Sequence, residues 1–265
     1  MSRAPLLAPP RVPLVHRPSF VTTARWGIVL GAVAVLELCA RTGLIEPLIM
    51  PAPSAMLLRL VEVVRGDEFI GDLATTVAAV LAAFGIGATG GLLIGILFWR
   101  LPFVGATFEP YLVSLYSMPT LVFYPILLAV LGLGPAPIIA IATTMALIPV
   151  ALNTMVGLNS ISPTLPKLAR SLNCSRRQLY LKVLAPAATP LIVPGLVLGF
   201  IYAMIGVIAM EFILASEGLG FRIGYTYRAF DMQDMYAYIL VVLVIAVAAN
   251  VLLNSIERRV RKDMG

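Results

Sequence analysis

Six apolar segments, each about as long as a lipid bilayer is thick, constrain this chain more than any other feature. They occupy residues 25–44, 73–99, 108–133, 136–157, 190–214 and 236–256. A helix needs about 20 apolar residues to cross the hydrocarbon core. Charged residues make up 12% of the chain and hydrophobic residues 60%, whereas a soluble domain has about twice that charged fraction. The sequence therefore predicts an all-α integral membrane protein with about six transmembrane helices.

The regions outside these segments divide the chain further. Residues 1–24 are rich in proline and arginine and are predicted to form a disordered cytoplasmic N-tail. Residues 25–257 form the predicted transmembrane domain, and 258–265 a cytoplasmic C-tail. The first apolar segment is interpreted as a retained helix, because no small-residue cleavage site follows it. Pro110, Pro119 and Pro125 interrupt the third segment, which is expected to be the least regular span.

The distribution of basic residues predicts the orientation. Fourteen Lys and Arg residues lie on one side of the predicted spans and five on the other. Loops rich in Lys and Arg stay in the cytoplasm. Both termini are therefore predicted to be cytoplasmic.

Motifs for nucleotide, metal or catalytic sites carry little weight in this sequence. Gly85-Ile-Gly87-Ala-Thr-Gly90 matches a dinucleotide pattern but lies inside an apolar helix, without the strand that the pattern requires. Gly87, Gly91 and Gly95 instead place small residues on one helix face, which favours close helix packing. The three lysines lie outside any phosphate-binding loop, so if the protein takes part in an ATP-driven process, the ATPase is a different polypeptide. One histidine and two distant cysteines favour neither a metal site nor a catalytic pair.

Two acidic residues, Glu37 and Glu211, fall within predicted spans. An ionisable group in a membrane is a functional candidate by default, and the alternative is a hydrogen bond to a neighbouring helix. For Glu37 we favour the structural alternative, and for Glu211 both interpretations stay open. Candidates for lining a translocation path come from the polar and kinked parts of spans three and five: Ser117, Met118, Tyr124, Tyr202, Met204 and Glu211. Ordinary helix packing is an equal alternative for each.

The loop between spans four and five predicts two short helices at about 163–186. Leu165, Leu168, Ala169 and Leu172 recur at helical spacing and form one apolar face. Ser162 is expected to cap the first helix with Pro163 at its first position. Asn173 can adopt the left-handed conformation that ends a helix.

The second helix is expected to open at Ser175 and Gln178, which have capping-box spacing, and to run to about Pro186. The pair is interpreted either as a helix lying in the headgroups or as a docking element for a cytosolic partner. A DNA-binding helix pair has too little reach between two membrane spans.

This loop resembles a signature of bacterial importer permeases. The residues K-L-A-x3-N-x9-V-x-A-P, from Lys167 to Pro186, have the spacing of the EAA motif, E-A-A-x3-G-x9-I-x-L-P. Together with Gly218-Leu219-Gly220 and Pro51-Ala-Pro53-Ser54, the loop is similar to the nitrate/sulfonate/taurine branch of ABC transporter permeases. The similarity covers roughly residues 26–260.

The resemblance implies a type I importer permease fold in a bacterial inner membrane, with cytoplasmic coupling helices. It also implies a second permease subunit, two cytosolic ATPase subunits that bind ATP and Mg, and an extracytoplasmic solute-binding protein. This chain itself would bind no cofactor or nucleic acid, and its substrate would be a small anion such as sulfonate, taurine or nitrate. The residues expected to couple to the ATPase are Lys167, Leu168, Ala169, Leu172, Asn173, Arg176, Arg177 and Pro186.

Several of these residues depart from the motif. Lys167 stands in place of Glu, Leu168 in place of Ala, Asn173 in place of Gly and Ala185 in place of Leu. Asn is the best substitute for Gly in a left-handed turn, whereas Lys reverses the charge. We therefore hypothesise that this chain pairs with a second, different permease, with a pair of identical chains as the alternative.

Two other classes of membrane protein are alternatives. A secondary transporter driven by an ion gradient would be expected to carry intramembrane acids or broken helices in an inverted repeat, and only Glu211 and the prolines of span three point that way. An intramembrane enzyme would need a metal cluster or a paired nucleophile and base, which the sequence does not supply.

Overall fold

The computed structural model describes residues 18–46 and 48–262, and these fold into helices joined by short turns with no β-strand among them. The helices that cross or line the bundle are α1 (Pro18–Arg41), α2 (Pro53–Arg65), α3 (Phe69–Arg100), α4 (Pro102–Ser117), α5 (Tyr124–Leu131), α6 (Pro135–Asn159), α7 (Thr164–Ser171), α8 (Arg176–Gln178), α9 (Ala185–Leu214), α10 (Leu219–Arg228) and α11 (Met232–Lys262). A 3₁₀ turn, Thr120–Phe123, precedes α5, and a π-helical segment, Leu179–Leu184, joins α8 to α9.

Five of these helical stretches are long and apolar enough to cross a membrane. The count rises to six if α4 and the segment Thr120–Leu131 are taken as one span, bent by 92°. The predicted all-α membrane fold is confirmed, and so is the irregular third span. Of its three prolines, only Pro119 lies at the bend, because Pro110 is accommodated within α4 and Pro125 lies in the first turn of α5.

The helical boundaries at the two ends differ from the sequence prediction. Helix α1 begins at Pro18, so residues 18–24 are helical and not part of a disordered tail. The rest of that predicted tail, including His16, lies outside the described residues. At the other end, α11 continues to Lys262, well into the predicted C-tail.

Helix α2 was not predicted, because its 13 residues include two arginines and a glutamate and are too few for a membrane span. Its first turn is fixed to α1 by Glu37, whose carboxylate accepts hydrogen bonds from the Ser54 backbone N–H (2.9 Å) and hydroxyl (2.7 Å). The structural interpretation of Glu37 is therefore confirmed. Arg59 ties α2 to α11 through an ion pair with Asp234, and hydrogen bonds to that carboxylate raise the pKa of Arg59 above its ordinary value.

The centre of the bundle is formed by α3, α6 and α9. Five of the buried residues in this core are alanines: Ala79, Ala83, Ala142, Ala146 and Ala203. Many large apolar side chains of α1 and α11 are exposed on the isolated chain. A water-soluble protein rarely leaves such surfaces uncovered, so they fit a lipid environment.

The glycine face predicted on α3 packs directly against α6. A Cβ added at Gly91 would lie 2.6 Å from the Leu147 carbonyl oxygen, and one at Gly95 would lie 2.6 Å from the Ala151 carbonyl oxygen. These distances leave no room for a methyl group. The prediction that Gly87, Gly91 and Gly95 serve close helix packing is confirmed.

We expect Gly91→Ala to destabilise the bundle by about 1–3 kcal/mol, because the added methyl group forces α3 away from α6. The measurement is reversible unfolding of the purified chain by SDS titration from a mild detergent. Gly85→Ala is the matched control, since a Cβ at Gly85 on the same helix meets no atom within 4 Å. Equal losses in the two variants would contradict the packing role.

Candidate functional site

The segment between α6 and α9 contains the predicted coupling residues. Its first helix, α7, begins at Thr164, one residue later than predicted, with Pro163 at the N-cap position. The Ser162 hydroxyl still accepts the Thr164 N–H at 3.4 Å. The predicted helix is thus present, with its start shifted by one residue.

The end of α7 forms a left-handed turn at Asn173. This residue has φ = 54°. The Cys174 N–H donates to the Ala169 carbonyl and the Asn173 N–H to the Arg170 carbonyl, both at 3.0 Å. These two bonds define a Schellman motif, which confirms the predicted role of Asn173 in ending the helix.

The helix that follows opens as predicted but does not end as predicted. Ser175 and Gln178 form a capping box, with the Ser175 N–H donating to Gln178 Oε1 at 2.8 Å. The expected end at Pro186 is wrong, because α8, the π-helical segment and α9 form one continuous helical stretch from Arg176 onward. Pro186 lies in the first turn of α9, where its missing N–H is accommodated by the wider π-helical turns before it.

The predicted apolar face of α7 divides into an inner and an outer part. Ala169 is 4% exposed and faces the rest of the molecule, whereas Leu168 is 56% exposed and Leu172 is 69% exposed. The other predicted coupling residues are also exposed: Lys167, Asn173, Arg176, Arg177 and Pro186. We call the outer surface formed by Leu165, Leu168 and Leu172 the leucine face. It is an apolar surface surrounded by basic side chains at one end of the bundle.

Two of the predicted path residues, Met118 and Tyr202, lie together at a cavity of about 140 Å³ where the third span bends. The hydroxyl groups of Tyr202 and Tyr116 are hydrogen-bonded at 2.8 Å. Tyr116 was missed by sequence reasoning, although it lies three residues before the break-forming Pro119. The cavity is lined by aromatic, thioether and hydroxyl groups and contains no charged side chain.

The remaining path candidates lie elsewhere. The Ser117 hydroxyl donates to the Val113 carbonyl of its own helix at 3.0 Å, and Tyr124 and Met204 pack against the central core. The structure therefore does not gather all predicted path residues around one cavity.

Glu211 lies apart from the tyrosine cavity, where α9 ends and α10 begins. Its side chain is buried, and Oε2 accepts hydrogen bonds from the Thr76 hydroxyl (2.8 Å) and the Gly220 N–H (3.0 Å). Asp72 accepts the Gly218 N–H at 2.8 Å and Thr76 accepts the Leu219 N–H at 2.9 Å. We call Asp72, Thr76 and Glu211 the acid cradle, because side chains from α3 and α9 satisfy the backbone donors at the start of α10.

Within the described residues, no group of three or more His, Cys, Asp and Glu side chains could hold a metal ion. The acid cradle consists of two carboxylates and a hydroxyl whose bonds are directed to backbone donors and to Arg222. The arrangement thus stabilises the start of α10, while the second carboxylate oxygen, Glu211 Oε1, is buried without a hydrogen-bond partner in the described part of the chain.

Residues 87–262 match the family model of the binding-protein-dependent transport system inner membrane component. The chain is 26% identical over 238 residues to the putative aliphatic sulfonates transport permease protein SsuC of Bacillus subtilis, covering 89% of this chain and 86% of the relative. It is 30% identical over 193 residues to the nitrate import permease protein NrtB of Leptolyngbya laminosa, covering 72% and 69%. The fold is similar to a chain of the MetNI methionine ABC transporter in an inward-facing conformation, with a TM-score of 0.63 at 20% identity, over 73% of this chain and 96% of that one.

Both relatives are named as transport or import permeases, and the matches cover 86% and 69% of their lengths. They favour an ATP-driven importer over the secondary transporter considered as the alternative. In such importers the permease is not an enzyme, and ATP is hydrolysed by a separate subunit. This chain belongs to the family of binding-protein-dependent transport system inner membrane components, and it is the membrane-spanning permease subunit of an ATP-driven importer.

Proposed function

We propose that the leucine face of α7 docks into a cytosolic ATPase subunit and transmits its ATP-driven motion to the bundle. The observation that carries this proposal is the exposure of Leu168 and Leu172 on a short helix that joins two central spans. An apolar helix face of this kind suits a groove on a partner protein. The Schellman turn at Asn173 and the capping box at Ser175 give the segment the rigidity that a coupling element needs.

The continuous stretch from α8 into α9 suggests how motion would reach the membrane. A displacement of α7 and α8 is carried through the π-helical segment Leu179–Leu184 into α9, because no loop interrupts the helix. Tyr202 of α9 lies at the tyrosine cavity. ATP and Mg bound by the partner would thus act on the path at a distance, with no nucleotide bound to this chain.

The orientation follows from the charge distribution. The end of the bundle that carries α7 also carries Arg100, Arg170, Arg176 and Arg177, and most acidic residues lie at the opposite end. Basic loops remain in the cytoplasm. We therefore place both termini in the cytoplasm and the acid cradle on the side from which a solute-binding protein delivers substrate.

The substrate proposed is a small anion of the sulfonate or nitrate type. The relatives named above act on aliphatic sulfonates and nitrate. The Tyr116 hydroxyl donates to the Tyr202 oxygen, which leaves the Tyr202 O–H as a hydrogen-bond donor at the bend of the third span. The described cavity there has no charged lining, which suits a path that passes an anion without holding it tightly, with selectivity residing in the binding protein.

Purification of the tagged chain from its native membrane in mild detergent, followed by intact mass measurement of the complex, tests this proposal. We expect two permease subunits and two copies of an ATPase that has a phosphate-binding loop. A second, different permease in the complex would explain the charge reversal at Lys167, whereas two copies of this chain alone would contradict the mixed-pair hypothesis. A chain that purifies alone and supports uptake that collapses with the ion gradient would contradict the docking role of the leucine face.

A further inference from the structure

A basic cavity of about 550 Å³ lies beside α7 at the end of the bundle that carries Arg100. Three guanidinium groups from three different elements line it: Arg100 at the end of α3, Arg170 on α7 and Arg176 at the start of α8. Cys174, Leu179 and Tyr180 complete the lining. We call this cavity the arginine pocket.

The arginines of this pocket have no carboxylate partner among the described residues. Ion pairs within that part of the chain are formed by Arg41, Arg59 and Arg222. Between residues 73 and 210 the sequence contains a single acidic residue, Glu109, and it lies on α4. Three like charges around one cavity repel one another, so the pocket is suited to a bound anion.

The position of Arg100 is fixed by aromatic contacts. Its guanidinium carbon lies 4.8 Å from the centre of the Tyr180 ring. That ring in turn meets the Trp99 ring edge to face, with centroids 6.4 Å apart. Trp and Tyr side chains are enriched at the depth of the lipid headgroups, and Arg100 ends a long apolar helix. The pocket therefore lies where headgroup phosphates are found.

Guanidinium groups match phosphate oxygens with paired, charge-assisted hydrogen bonds. Basic pockets between membrane helices bind anionic headgroups for this reason. We infer that the arginine pocket binds a phosphate group, supplied by the headgroup of an anionic phospholipid. Leu179 offers an apolar wall beside the charged groups, which suits a lipid better than a free anion.

The test uses native mass spectrometry of the purified transporter complex, titrated with phosphatidylglycerol or with phosphatidylcholine. We expect selective retention of phosphatidylglycerol, and about tenfold weaker retention in Arg100→Gln, because one paired phosphate contact is lost. Arg170→Gln is a second variant. Arg100 and Arg170 are not among the predicted coupling residues, whereas the third pocket arginine, Arg176, is one of them and is therefore left unchanged. Arg65→Gln is the matched control, since Arg65 is an exposed arginine that ends α2, away from the pocket.

Competition with inorganic phosphate distinguishes the source of the anion. Displacement of phosphatidylglycerol only at high phosphate concentration supports the lipid, and tight, Arg100-dependent binding of inorganic phosphate itself supports the same site with a free anion as its ligand. Equal retention of the two lipids, or an equal loss in Arg65→Gln and Arg100→Gln, would overturn the inference. The inference would also be overturned if both pocket variants kept the lipid preference but lost the ATPase from the complex. That result would indicate that the arginines bind a carboxylate of the partner.

Discussion

Replacement of Leu172 by Asp is expected to abolish association with the ATPase while leaving the membrane bundle folded. Leu172 is 69% exposed, so the substitution is expected to cost the isolated chain little folding stability. In the docked complex the new carboxylate would be buried in an apolar groove without a partner. Such a charge costs about 3 kcal/mol or more, which weakens binding by more than about a hundredfold. The measurement is the amount of ATPase that co-purifies with the tagged chain.

Leu133→Asp is the matched control for this variant. Leu133 is 86% exposed but precedes α6, at the end of the bundle opposite α7. A loss of ATPase in both variants would indicate general damage to the complex, and normal association in Leu172→Asp would remove the leucine face from the docking site. A shift in the unfolding curve of Leu172→Asp alone would point to a structural role instead.

Local sequence signals predicted the features of this chain that depend on residues close together in sequence. The turn at Asn173 and the capping box at Ser175 and Gln178 each require only a few consecutive residues, and both are present. The glycine face of α3 was predictable for the same reason, since a spacing of four residues places Gly87, Gly91 and Gly95 on one side of any helix.

Features that depend on distant residues were not predictable. The sequence predicted that the helix ends at Pro186, because proline usually interrupts a helix. That expectation does not take account of the π-helical segment before Pro186, which allows the helix to continue. Helix α10 was missed, because the groups that stabilise its start, Asp72 and Thr76, lie more than a hundred residues earlier. For Glu211, the sequence shows only an acidic residue within a predicted span. That observation does not distinguish a residue of the translocation path from one that stabilises helix packing.

The acid cradle explains why α10 can begin at Gly218-Leu219-Gly220 directly after α9. Gly218 has φ = 106°, a conformation that side chains rarely adopt, and a Cβ there would lie 2.7 Å from the Glu211 carboxylate. A Cβ at Gly220 would lie 2.4 Å from the Ile208 carbonyl oxygen. The two glycines thus permit a close approach of the backbone to Glu211, and the three consecutive N–H groups then find Asp72, Thr76 and Glu211 as acceptors.

We therefore expect Glu211→Ala to destabilise the protein by about 2–6 kcal/mol, because it leaves the buried Gly220 N–H and Thr76 hydroxyl without this acceptor, at about 1–3 kcal/mol each. Glu211→Gln retains an acceptor oxygen at the same place and is expected to keep most of the stability. The measurement is unfolding by SDS titration from a mild detergent, with Glu217→Ala as control, since Glu217 is exposed on the same loop. Substrate uptake by Glu211→Gln then decides between the two interpretations of this residue. Normal uptake supports the structural role of Glu211 in the acid cradle. A stable but inactive Glu211→Gln would show that transport requires the negative charge, and would support a place for Glu211 in the translocation path.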